Sequence, residues 1–95
     1  MYGTIFNFKV KPNNENALVK VFTEDQAKPK GMVASFVMKP DAGDTWIGVA
    51  VFESKEAHVA NAESPEQHAT FLKFMEHLEA EPAWTDGTYV IGETA

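Results

Sequence analysis

A period-two strand pattern at the N-terminus, a central pair of strands joined by a short turn, and capped helical segments after each predict an α+β domain. The element order reads β-α-β-β-α-β, the ferredoxin-like plan, in which an antiparallel sheet carries its helices on one face. Tyr2, Thr4, Phe6, Phe8 and Val10 alternate with Gly3, Ile5, Asn7 and Lys9, so Tyr2 to Val10 is the first strand. Pro12-Asn13-Asn14 ends it, because proline has no N–H to donate and asparagine favours turns. Asn14 is placed to cap a helix through about Ala27, with Ala17, Leu18, Val21 and Phe22 at helical spacing. Glu15 in its first turn suits the helix dipole, and Lys28-Pro29-Lys30-Gly31 stops it.

Met32 to Met38 is the second strand and Thr45 to Phe52 the third, joined by the turn Pro40-Asp41-Ala42-Gly43-Asp44 as an antiparallel hairpin. Ser54 caps a short helix through about Ala62. Ser64-Pro65-Glu66-Gln67 then starts another, with serine at the N-cap, proline at the first helical position and glutamine completing a capping box. That helix is predicted to reach about Ala80, ahead of Pro82. Asp86-Gly87 reads as a turn into a last strand, Thr88 to about Gly92.

The chain of 95 residues is read as one domain, 1–95, with 44% apolar and 23% charged residues, ordinary globular values. Fourteen acids against eight lysines give a net charge of −6, and there is no arginine, which argues against a nucleic-acid partner. The absence of cysteine excludes disulfides, thiolate nucleophiles, iron–sulfur clusters and cysteine-ligated zinc. No apolar run approaches the about 20 residues that span a bilayer, and the N-terminal residues lack signal-peptide character. The sequence therefore predicts a cytoplasmic protein with no membrane partner. No P-loop, GxGxxG or GxSxG element is present, and no histidine pair has zinc-site spacing, so no metal is expected.

Helices on one side can cover only one face of the sheet, yet the strands are apolar on both. The third strand sets Trp46, Ala50 and Phe52 against Ile47, Val49 and Val51. The second sets Met32, Ala34, Phe36 and Met38 against Val33 and Val37. A patch of that size predicts a homodimer with two sheets packed face to face.

The segment Trp46 to Ala57, the Ser64-Pro65-Glu66-Gln67-His68 helix start and the Glu81-Pro82-Ala83-Trp84 close resemble the antibiotic-biosynthesis-monooxygenase-like (ABM) proteins. The resemblance runs over nearly the whole chain and implies a dimeric α+β barrel. The family includes cofactor-independent oxygenases of aromatic polyketides and quinols, haem-degrading monooxygenases, and proteins with no assigned reaction. The haem-degrading branch relies on an asparagine in the first strand, a tryptophan and a histidine. Asn7 matches the first, the tryptophan position falls at Asn61, and His68 lies about one turn early; two departures in three place haem behind the cofactor-independent reading, and no cofactor is expected.

His68 shares a helical face with Phe71, Met75 and Leu78, which predicts that it faces the sheet. It then either hydrogen-bonds near the helix start or serves as a general base. Asn7 either pairs locally or stabilises an oxygen-bearing intermediate. Trp46, Phe6, Phe36, His58, Phe71, Met75 and Tyr89 are the candidate lining of an aromatic-binding pocket between sheet and helices, or else core and interface residues. Trp84 is read as packing a loop and His77 as solvated. Three functions remain open: a cofactor-independent monooxygenase of a small quinol- or anthrone-like aromatic, a non-catalytic dimeric protein that holds a small apolar ligand, and, with the least support, a haem-binding or haem-degrading protein.

Overall fold

The computed structural model describes residues 1–24 and 28–95. Its elements are β1 (Tyr2–Lys9), α1 (Glu15–Thr23), β2 (Met32–Met38), β3 (Thr45–Phe52), α2 (Lys55–Ala62), α3 (Pro65–Met75) and β4 (Ala83–Thr88). The four strands form one sheet in the order β2-β3-β1-β4 with every neighbouring pair antiparallel. This is the ferredoxin-like α+β arrangement that the sequence predicts.

Both predicted serine caps form: Ser54 Oγ accepts from the Ala57 N–H and Ser64 Oγ from the Gln67 N–H, each at 3.1 Å. Asn14 stands at the start of α1 but spends its side chain elsewhere. Its Nδ2 donates to the Pro12 carbonyl at 3.0 Å, and its Oδ1 lies 2.9 Å from Nδ1 of His77. His77 is thus half-buried and bonded rather than solvated. The helix ends at Thr23 with Glu24 extended; the predicted continuation through Ala27 lies outside the described residues.

Three boundaries differ from expectation for long-range reasons. α3 stops at Met75 instead of Ala80, because β1 captures the segment from His77 to Glu79. Val10 and Leu78 form a bridge, the Lys11 N–H donates to the His77 carbonyl at 2.8 Å, and the Glu79 N–H donates to the Lys9 carbonyl at 3.0 Å. The last strand is Ala83–Thr88, not Thr88 to Gly92, and Asp86-Gly87 lies inside it opposite Thr4 and Gly3. Trp84 consequently stands in β4 opposite Phe6, its ring 4.7 Å from that ring, and not in a loop. Finally, the β2–β3 register shifts between Met32 and Ala34. That bulge turns Met32 to the side of Phe52, while Ala34, Phe36 and Met38 join Val51, Val49 and Ile47 on the opposite face.

The core lies between sheet and helices and comprises Phe6, Phe8, Leu18, Trp46, Phe74 and Leu78, flanked by Val21, Phe22, Val37, Phe71 and Met75. Phe74 of α3 is its centre. Its ring meets Phe8 at 5.0 Å and 84°, Phe22 at 5.3 Å and 64°, and Phe6 at 6.1 Å and 80°. These are edge-to-face contacts, which add about 0.5–1.5 kcal/mol each to the burial of the rings. Gly48 leaves room for Phe6, since a Cβ there would overlap its ring. Aromatic side chains fill the space where the sequence predicts a ligand pocket.

Candidate functional site

Space for a ligand is found beside that core, along the open edge of the sheet. A cleft of about 590 Å³ runs between α1 and β2. Helical spacing brings Glu15, Asn16, Val19, Phe22 and Thr23 of α1 to one wall. Strand alternation brings Ser35 and Val37 of β2, and Lys39 just past its end, to the other. Trp46 of β3, only 7% exposed, closes the bottom. Val19, Phe22, Val37 and Trp46 make the apolar part. The charged part is an ion pair, Lys39 Nζ to Glu15 Oε2 at 2.9 Å, which ties helix to strand across the cleft.

Of the site residues predicted from sequence, Trp46 alone lines this cleft. Phe6, Phe71 and Met75 belong to the core. His58 is half-buried at the other end of the sheet, its ring 5.3 Å from Phe52 and 5.4 Å from Tyr2. His68 is exposed and does not face the sheet. The inward stripe of α3 is Gln67, Phe71, Phe74 and Leu78, and His68 sits one position, or about 100°, round the helix from it. Asn7 is exposed on the face away from the helices, between Ile47 and Ala83. Within the chain His68 and Asn7 are therefore on opposite sides of the sheet and share no pocket.

Phe36 also lies on that outer face, 67% exposed, with Met38 at 56% and Ile5 at 44%. Tyr89 follows β4 and lies on the same side by alternation from Thr88, its ring over Gly3. A Cβ on Gly3 would overlap the Ala50 carbonyl, so this close approach requires glycine. The Tyr89 hydroxyl donates to the Ala50 carbonyl at 2.9 Å and lies 3.3 Å from that of Thr4. Desolvation by burial raises its pKa above the ordinary value of 10.0. The hydroxyl is thus a structural tie.

Among the described residues no group of three or more His, Asp or Glu side chains could hold a metal ion. No helix among them is long and apolar enough to cross a membrane.

Glu15, Val19, Phe22, Ser35, Val37 and Lys39 escaped sequence reasoning. Phe22 stood in a legible helical stripe, and alternation with Ala34, Phe36 and Met38 already sets Ser35 and Val37 on the other face of β2, but which face of the sheet meets the helices was not legible.

No protein-family model and no curated protein matches the sequence. Solved structures match its fold throughout. SnoaB, a cofactor-independent oxygenase from Streptomyces nogalater crystallised as a point variant, superposes with a TM-score of 0.79 over 96% of this chain and 94% of its own, at 14% identity. Rv0793 from Mycobacterium tuberculosis gives a TM-score of 0.75 over 98% of both chains at 18% identity. A Methanosarcina mazei Go1 protein, known as a conserved protein, gives 0.78 over 90% of this chain and 89% of that one at 13% identity. Putative antibiotic biosynthesis monooxygenases from Nitrosomonas europaea and Caulobacter crescentus CB15 share the fold too, so the chain has an ABM-like fold, as the resemblance in its sequence implied.

Proposed function

We propose that the protein is a homodimeric, cofactor-independent monooxygenase that takes a small electron-rich aromatic, quinol- or anthrone-like, into the α1–β2 cleft. The observation that carries this reading is the cleft itself: about 590 Å³, floored by Trp46 and Phe22, on a fold that SnoaB shares from end to end. Its volume falls in the range of about 300–1,000 Å³ usual for small-molecule sites, and its lining is mixed, with Val19, Phe22, Val37 and Trp46 beside five polar or charged residues. In such a reaction the substrate loses a phenolic or benzylic proton, and the resulting anion passes an electron to dioxygen. The two radicals then combine to a C–O–O⁻ adduct. With a methylene carbon, loss of water from the protonated adduct leaves a carbonyl, so one oxygen atom enters product and the other becomes water. His68 as base and Asn7 as oxyanion partner, the roles assigned from sequence, are not supported by their positions.

The second reading, a non-catalytic carrier of a small apolar ligand, is favoured by one observation. Among the described residues no histidine lines the cleft, and the one carboxylate that does, Glu15, is already paired with Lys39. Oxygen uptake with a panel of quinols and anthrones separates the two. Uptake proportional to protein concentration supports the oxygenase. Binding of the same compounds without uptake overturns catalysis and leaves the carrier.

The dimer is supported by the outer sheet face, where Ile5, Phe36 and Met38 are exposed and Ile47, Val49 and Val51 beside them are only half-buried. A second copy of that face would bury them, sheet against sheet, at the about 10 Å spacing usual for such layers.

A further inference from the structure

The charged groups of the cleft are unlike the rest of its lining. Glu15 and Lys39 are half-exposed, 50% and 59% by side chain, and stand 2.9 Å apart over an apolar floor. Among the described residues the remaining polar lining, Asn16, Thr23 and Ser35, is uncharged. We infer that this ion pair recognises a hydroxyl group on the aromatic ligand, whose O–H donates to the Glu15 carboxylate while the same oxygen accepts from the Lys39 ammonium. The inference rests on the reading that the cleft holds an aromatic, and it names what that aromatic carries.

Three features point to a hydroxyl. The pair sums to zero charge, so a ligand carboxylate would meet repulsion from Glu15 and a ligand ammonium repulsion from Lys39, whereas a neutral hydroxyl meets neither. A hydroxyl is also both donor and acceptor, which is what a carboxylate beside an ammonium demands of anything placed between them. Exposed ion pairs contribute little to stability and sit on flexible stems, so parting this one to admit an oxygen atom costs little.

The experiment compares 1-naphthol, its methyl ether and 1-naphthoate by calorimetry, with the indole N–H resonance of Trp46 followed in ¹⁵N-labelled protein. The expected result is about tenfold tighter binding of the naphthol than of the ether, the usual worth of hydrogen bonds to charged groups. That preference should fall to about twofold or less in both Lys39→Met and Glu15→Gln. Equal binding of naphthol and ether while the Trp46 signal moves would overturn the role of the pair and leave the cleft standing. So would a preference that survives both substitutions. Tighter binding of naphthoate than of naphthol would also overturn it, making Lys39 alone a carboxylate site. If no probe moves the Trp46 signal or evolves heat, the cleft reading falls and the inference with it. Both substitutions are at half-exposed positions, and thermal melts confirm that each variant is folded before it is titrated.

Discussion

Along β1 and β3 the residues Phe6, Phe8, Trp46 and Phe52 are sealed to 7% exposure or less, while Ile5, one position from Phe6, is 44% exposed, and Phe36 on the next strand is 67% exposed. Both sets are as apolar as a core requires. They differ only in whether their own chain supplies a cover. α1 and α3 close the first face with Leu18 and Phe74, Leu78 adds to it just past α3, and α2 sets His58 against Phe52 at its end. Nothing among the described residues closes the second. Hydrophobicity in a strand thus identifies a surface that must be covered, and leaves open whether the cover comes from the same molecule.

The largest test strikes the closed face. Phe52 is 1% exposed, and Phe52→Ala should lower unfolding free energy by about 3–5 kcal/mol, measured by urea denaturation, because transfer and cavity costs add. A loss below about 1 kcal/mol would mean that this face is no better packed than the other.

Next in size is the open face. If two copies meet there, Phe36→Asp places a charge in the interface, and loss of an anchor of this kind costs about 2–4 kcal/mol of association. Light scattering should then show the mass falling from twice 10.5 kDa to 10.5 kDa at micromolar protein, with an unchanged circular-dichroism spectrum. A wild-type protein that is already monomeric would remove the proposed dimer.

How much of this the sequence disclosed depended on how local the cause was. The bounds of β2 and β3 and the caps at Ser54 and Ser64 are set by a few neighbouring residues, and they were legible. β4 was not. Asp86-Gly87 has turn chemistry, and only pairing with Thr4 and Gly3 holds it in a strand. The last turn of α3 was misread for the same reason, since the Val10–Leu78 bridge joins residues far apart in the chain. At the site, Trp46 was legible as a candidate pocket aromatic, but which sheet face it lies on, and the cleft that α1 and β2 build around it, follow only from the way the helices pack on the sheet. His68 shows how sensitive helical readings are. Its three- and four-residue spacing to Phe71 and Leu72 fits two adjacent stripes, and the one that includes exposed Leu72 is where it stands.

The smallest effect concerns the one polar tie described on the open side, and its pH dependence gives it a distinctive signature. The Tyr89 hydroxyl must keep its proton to donate to the Ala50 carbonyl, and burial already disfavours the phenolate. Its folded-state pKa is therefore raised above the unfolded value near 10.0, and the folded chain holds the proton more tightly than the unfolded one. Stability from this group is complete below pH 10 and is lost as pH rises through the folded-state pKa. Tyr89→Phe should cost about 1 kcal/mol at neutral pH, the usual worth of one hydrogen bond. The gap between the two stability curves should narrow only above pH 10. A gap of constant size across that range would mean that the ring packed over Gly3, and not the hydroxyl, supplies the contribution. The open face would then be held at that end by apolar contact alone, in the same manner as the closed one.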